Sequence, residues 1–345
     1  MNGRFAVGPV LGGILLMMTV TVTAPAGGQE PHPREPVLAT PRFAFYSDYQ
    51  FNLHDALLAA GTARRAGQPE YFAAEPHVTC FNGLSAAQRS AWNRAVDYYA
   101  DTIATGSAFD QQQILPRLEL LWRSDDWARG DDRTAIVIAR SFRSAAAPAY
   151  ERCRWPAQDE RNRRWIEVLR PVLAKHEDAI SRRLVEVYGA DWQALPIPID
   201  VVETVSWAGG DSIATRPPPG HVWVSSTRPA YQVPAAALEI VFHEASHLLM
   251  GGSPLSDALD SAGRAAEKTL PMDLWHAVLF YVTGETVRRT LAGTNEPEHT
   301  PLIEALNIFG NVRQPITAAW SPYLDGERSL PEAAADLVER LEAAP

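Results

Sequence analysis

The chain has 345 residues, 46% of them hydrophobic, with 41 acidic and 31 basic side chains and a formal net charge of −10. That length suffices for one large domain or two lobes around a substantial core. The acidic balance argues against nucleic acid or an anionic membrane as partner, and the two cysteines, Cys80 and Cys153, have no metal-motif spacing.

Residues 1–28 read as a secretory signal: Arg4 supplies the positive start, 7–22 the apolar core, and Ala24-Pro25-Ala26 an A-x-A cleavage pattern. The apolar core is short for a membrane span, and an uncleaved N-terminal anchor stands as the alternative. The mature protein is therefore expected to be secreted or periplasmic. Residues 29–41, rich in proline, read as a disordered leader. In an oxidising compartment Cys80 and Cys153 can form a disulfide across a loop of about 70 residues, stabilising by around 4 kcal/mol in the chain-entropy model; two separate buried thiols are the alternative.

Residues 43–51 are aromatic-rich and suit a short strand or ordered arm. The first clear helix opens at Ser85, where Ser-Ala-Ala-Gln forms a capping box, and Trp92, Ala95, Val96 and Tyr99 follow at helical spacing. A second helix is expected over 112–127, a buried strand over 134–140, and a long helical pattern over 159–188, interrupted at Pro171 and stopped by Gly189. His176-Glu177 falls in that pattern without a second histidine four residues on, and reads as part of a solvated face.

Residues 197–207 alternate as a strand, 209–220 form a Gly/Pro-rich loop, and 221–226 read as another strand. The latter is either an edge strand able to pair with an extended peptide or an interior strand with no substrate role. Then comes the most informative stretch, Val241-Phe242-His243-Glu244-Ala245-Ser246-His247-Leu248-Leu249. Pro234 suits a first helical turn, Gly251-Gly252 ends the element, and the intervening run is apolar on nearly every face, which implies burial. Histidines four apart stand above one another on a helix, so His243 and His247 can hold one cation. Glu244 lies beside that cation rather than on it, placed to take a proton from water. Without a ligand, two histidines and a glutamate on a buried helix leave polar groups to be satisfied by core hydrogen bonds, the bland alternative.

Downstream, 253–268 read as loop or loose helix, and 271–291 as a second apolar helix. A further helix is expected to begin at Thr300-Pro301 and end at Gly310, and a capping box at Ser329 to Glu332 opens the C-terminal helix. A catalytic zinc usually has three protein ligands. Glu285, which interrupts the apolar face of the second helix, is the expected third; its alternative is a surface pair with Arg288 or Arg289. His276 competes with it. Nine residues from Glu285, it falls on the opposite side of an unbroken helix, so the two are not expected to share a metal, and His276 is expected as a secondary, catalytic-site residue. Tyr281 can donate to a developing oxyanion or merely pack in the core, and His221 is a weaker candidate.

These elements predict an α+β fold, predominantly helical, with a small sheet packed on the helix of His243 and His247. The chain divides into signal (1–28), leader (29–41), a mainly helical N-terminal region (42–190) and a catalytic region (191–345).

With HExxH at His243 to His247 and a glutamate on a later helix, the chain resembles the zincin metallopeptidases, and within them the gluzincins. The resemblance covers about residues 196–291. It implies a zincin-like core, Zn2+ held by His243, His247 and Glu285, Glu244 as general base, and a peptide or protein substrate cleaved by a metal-activated water. Two features depart from relatives: Arg289 stands where gluzincins often carry an acid, and the metzincin HxxGxxH continuation is absent. The alternatives are a non-catalytic binding protein of the same fold, which the intact Glu244 argues against, and a zinc hydrolase of a non-peptide amide.

Overall fold

The computed structural model describes residues 34–106, 146–205, 209–214 and 220–341. The expected signal, residues 29–33 of the leader, the helix at 112–127 and the strand at 134–140 lie outside the described residues. The rest of the expected leader is ordered rather than disordered, because Arg34 pairs with Asp48 and Asp200 and Leu38–Ala39 pair as a strand with Ala44 and Phe45. The fold is α+β and mostly helical, with a five-stranded mixed sheet among the described residues.

The sheet is built from β1 (Leu38–Ala39), β2 (Phe43–Tyr46), β3 (Ile197–Val202), β4 (Gly210–Ile213) and β5 (His221–Ser225), in the order β1-β2-β3-β5-β4. β2, β3 and β5 run parallel, while β1 and β4 pair antiparallel to β2 and β5 at the two edges. All of β5 is buried, with Val222, Trp223 and Val224 at 4% exposure or less, as a central parallel strand requires. The expected strand at 221–226 is therefore interior. Among the described residues the sheet ends beyond it at β4, which the sequence reads as loop.

Asp48 caps the first helix, α1 (Tyr49–Arg65), by accepting from the backbone N–H groups of Gln50 and Phe51. Sequence periodicity misses this helix, because its buried set includes Asn52, His54 and Gly61 beside Phe51, Leu53 and Leu57. α2 (His77–Asn82), α3 (Ala86–Tyr98, with the Ser85–Gln88 capping box) and α4 (Ala147–Cys153) join α1 in a satellite core around Phe72, Trp92, Tyr99 and Tyr150. The Cys80–Cys153 disulfide ties α2 to α4, with the Cα atoms 5.5 Å apart.

The larger core gathers the sheet, α5 (Trp155–Tyr188), α6 (Pro234–Met250) and α8 (Leu274–Leu291). Pro171 does not interrupt α5 as expected. It sits on the exposed face beside Glu167, also exposed, so the carbonyl that loses its helical donor can turn to water. Nor is His176-Glu177 a solvated face: both are buried, and Glu177 Oε1 accepts from Thr40 Oγ1 at 2.9 Å and the Arg42 N–H at 2.8 Å, pinning the β1–β2 turn to α5. Since α5 and β2 share their core with α6, the sequence division at 190 does not coincide with a boundary between cores.

After α6 come α7 (Pro254–Ala265), α8, α9 (Leu302–Ala305), α10 (Gly310–Leu324) and α11 (Leu330–Arg340). Gly310 opens α10 rather than closing the helix expected from Pro301, which is a single turn. Pro315 and Pro322 inside α10 mask its periodicity. Among the described residues, no helix is long and apolar enough to cross a membrane.

Candidate metal centre

α6 fixes the centre because it cannot turn. Residues 235–246 of this helix are buried without a break, packed on by α5, α8 and the strands β4 and β5. Pro234 starts it where a missing N–H costs nothing, and Gly251 ends it. One turn apart, His243 and His247 bring their Nε2 atoms to 3.3 Å.

The third imidazole comes from α8. His276, in its first turn, places Nε2 3.3 Å from His243 Nε2. Among the described residues, His243, His247 and His276 form a group whose ligand atoms all lie within 4.8 Å of one another, close enough to hold a metal ion. A tetrahedral zinc with bonds of about 2.0–2.1 Å sets its nitrogens about 3.3–3.4 Å apart, so these spacings fit such an ion. Hydrogen bonding alone leaves the Nε2 of His243 shared between two neighbours, whereas a cation takes a lone pair from each ring. Buried His243 Nδ1 has no hydrogen-bond partner among the described residues.

The electrostatics favour neutral, lone-pair-bearing rings. Burial, and then the neighbouring histidines, press His243 well below the usual histidine range; burial takes His247 down to about 3 and His276 to about 4, the latter against the opposing pull of Asp273. Metal binding requires deprotonated imidazole. Phe280 packs against His243 with ring centroids 3.6 Å apart and planes tilted by 33°, closing the inner wall.

Glu244 points to β4. Its Oε2 accepts from Ser212 Oγ at 3.1 Å and lies 3.9 Å from His247 Nε2. A Cβ at Gly210 would stand 3.0 Å from Cδ and Cγ of Glu244, so the close approach of strand and carboxylate depends on this glycine. Burial, reinforced by the Asp211 carboxylate, pushes Glu244 well above the usual carboxylate range, and the Ser212 hydroxyl acts against that. A carboxyl group raised toward neutrality beside a metal-sized cluster is suited to exchanging protons with water.

Glu285 does not join the cluster. Arg288 Nη2 donates to its Oε2 at 2.7 Å, Arg288 Nε to its Oε1 at 2.8 Å, and Arg289 Nε to its Oε2 at 3.1 Å. Burial alone would raise this carboxyl, but the two guanidinium groups hold it below its usual value. The expectation of a glutamate ligand is thus replaced by the surface pairing, for a simple reason: α8 is one unbroken helix, nine residues turn the side chain through half a circle, and His276 occupies the side facing α6. Tyr281 is buried with Thr317 and Ser321 of α10 near its hydroxyl, in the core role. His221 Nε2 donates to Asp200 Oδ2 at 2.6 Å, and Arg34 pairs with the same carboxylate.

Sequence reasoning missed Gly210, Ser212 and Trp275. The first two depend on the register of a four-residue edge strand, which carries no pattern of its own. Trp275, whose ring stacks on His276 at 5.1 Å and meets His247 edge-on at 5.6 Å, had one available signal: it adjoins a histidine at the start of an apolar helix.

No protein-family model, curated protein or solved structure matches the chain.

Proposed function

We propose that the chain is an exported zinc metallopeptidase of the zincin type, with His243, His247 and His276 as metal ligands and Glu244 as general base. The observation that carries this reading is the pair of 3.3 Å Nε2 separations converging on His243, beside a carboxyl group that ligates nothing. A zinc ion held there would supply a Lewis acid for the scissile carbonyl and lower the pKa of water.

The protein's own groups do the rest. Glu244, steadied by Ser212, takes a proton from the attacking water and returns it to the leaving amine. β4 is the last strand of the described sheet and lies beside that carboxylate, where an extended peptide added to it would lay the bond to be cut against the cluster. Phe280 and the buried face of α6 keep bulk water from the inner side. The A-x-A leader in the sequence and the Cys80–Cys153 disulfide support export to an oxidising compartment.

The test is Glu244→Gln. General acid–base help of this kind is worth about 10²–10⁴-fold in rate. The variant is expected to lose at least 10²-fold in peptide hydrolysis while retaining about one zinc per chain. Wild-type hydrolysis by Glu244→Gln would overturn the mechanism, and a wild-type protein without zinc after metal-replete purification would overturn the metal centre.

A further inference from the structure

The seam between α6 and α8 is antiparallel and repeats every four residues: Glu239, His243 and His247 on α6 meet Gly284, Phe280 and His276 on α8. The first of these contacts lies one turn beyond the metal centre. A Cβ at Gly284 would stand 2.8 Å from Glu239 Oε1, so the helices approach there through a glycine and a carboxylate that has no exposure at all. A carboxylate buried so deeply needs partners. Glu239 finds them in the segment that follows α8: His299 Nε2 lies 2.5 Å from its Oε2, and the Leu302 N–H donates to its Oε1 at 2.9 Å.

From that anchor the chain runs through α9 and folds back on itself. The Asn307 N–H donates to the Glu304 carbonyl at 2.9 Å and the Ile308 N–H to the Ile303 carbonyl at 3.2 Å. The chain then enters α10 through Phe309, whose φ of 54° and ψ of 31° are left-handed. Such a backbone is an outlier for a bulky residue, and it persists only where surrounding contacts hold it. Those contacts reach the metal centre: the Phe309 ring meets His276 edge-on with centroids 5.7 Å apart, and Phe280, which packs on His243, at 5.9 Å.

His276 is the ligand with most need of such support. His243 and His247 are carried by a long buried helix, whereas His276 lies in the first turn of α8, half-buried, behind an N-cap, Asp273, whose side chain makes no capping bond. Its own helix contributes the Trp275 and Phe280 rings, each with its centroid 5.1 Å away. Phe309 is the aromatic contact that comes from another element.

We propose that residues 299–309 form a clasp on the metal centre, with Glu239 and His299 as its anchored end and Phe309 as the positioning residue that holds His276 against the other two rings. The inference rests on the metal-centre reading above for the ion, though not for the contact with His276. Its consequence is kinetic. With two ligands fixed on α6, an ion leaves when the third ring swings away, so the clasp sets how slowly the ion is released.

The test measures release of zinc from the loaded full chain to an excess of colorimetric chelator. The proteins are wild type, Phe309→Ala, Phe309→Tyr, His299→Ala and the double variant carrying both alanines. Changing the partners of metal ligands typically costs 10–100-fold in affinity, so Phe309→Ala is expected to release zinc about tenfold faster, and Phe309→Tyr, which keeps the ring, within about twofold of wild type. His299→Ala is expected to speed release as well, although its side chain touches none of the three histidines. The double variant should be no faster than the faster single one, because both changes open the same clasp. If Phe309→Ala does not fold, Phe309→Leu takes its place with the same expectation. A wild-type release rate in Phe309→Ala, or effects of the two changes that multiply, would overturn the clasp.

If the wild type takes up no zinc, the metal-centre reading falls, and a second arm decides the clasp alone. It follows acylation of His276 by diethyl pyrocarbonate in zinc-free protein, read by peptide mass spectrometry with His77 of the satellite core as internal reference. Faster acylation in both Phe309→Ala and His299→Ala upholds the clasp; a wild-type rate in either refutes it.

Discussion

Exchanging the two candidate third ligands one at a time separates a three-histidine centre from a glutamate-containing one. In His276→Ala, the Nε2 that stands 3.3 Å from His243 Nε2 is removed, leaving two imidazoles on one helix. In Glu285→Gln, the change falls on a carboxylate held by Arg288 and Arg289, whose side chains are 42% and 29% exposed. The carboxylate itself is 9% exposed, but its guanidinium partners stay partly solvated, and part-exposed pairs of this kind contribute about 1 kcal/mol. If zinc at 100 times its dissociation constant stabilises the wild type, the gain is about 2.7 kcal/mol, and a hundredfold weaker site forfeits most of it. For a chain of this size that is a fall of roughly 5 °C in Tm, at about 2 °C per kcal/mol. The assay is elemental zinc analysis together with thermal unfolding with and without added zinc. His276→Ala is expected to lose its zinc and the zinc-dependent part of its Tm, and Glu285→Gln to keep both within about 2 °C. Zinc retained in His276→Ala and lost in Glu285→Gln would refute the geometric argument outright.

Three further outcomes are expected. Gly210→Ala drives a methyl against Glu244, displacing β4 or the carboxyl group; peptide hydrolysis should fall at least tenfold with zinc content unchanged, and an unaffected rate would show that the approach is not needed. Burial pushes Asp55 up to about 7, against the Thr204 N–H and hydroxyl that lower it. A raised carboxyl contributes stability that is full below its unfolded value near 4 and is lost as pH rises through about 7, so wild-type Tm should decline from pH 5 to 8 more steeply than that of Asp55→Asn, and parallel curves would remove Asp55 as the cause. The Cys80–Cys153 bond spans a sequence separation of 73, worth about 4 kcal/mol in the chain-entropy model, and the double serine variant should show that loss in denaturant titration.

What could be read from the sequence was whatever is written in consecutive residues. The helix of His243 and His247 announces itself through Pro234, an uninterrupted apolar run and Gly251, and both capping boxes, at Ser85 and Ser329, are local hydrogen-bond patterns that the fold reproduces. The third histidine was different. An acid in an apolar helix looks costly, which drew attention to Glu285, yet the cost is met within the same helix by arginines three and four residues on. His276 becomes visible only when the start of α8 is laid against the second half of α6, a long-range packing fact. β4 was illegible for a similar reason, since four residues next to a Gly/Pro-rich loop acquire strand character by pairing with β5. His176-Glu177 misled in the opposite sense: two polar residues in a helix look solvated, but Glu177 is covered by the β1–β2 turn it binds and His176 is buried 3.6 Å from Glu296.

The uninterrupted burial of residues 235–246 has one more implication. In small zinc modules the ion organises the chain that holds it, and folding and loading are one event. Here packing against a sheet and two helices already fixes the rings of His243 and His247, so loading is expected to be a late, separable step in the life of the protein. If the chain is exported as proposed, it can cross a membrane unloaded, fold and oxidise its disulfide on the far side, and take up its ion from whatever that compartment supplies.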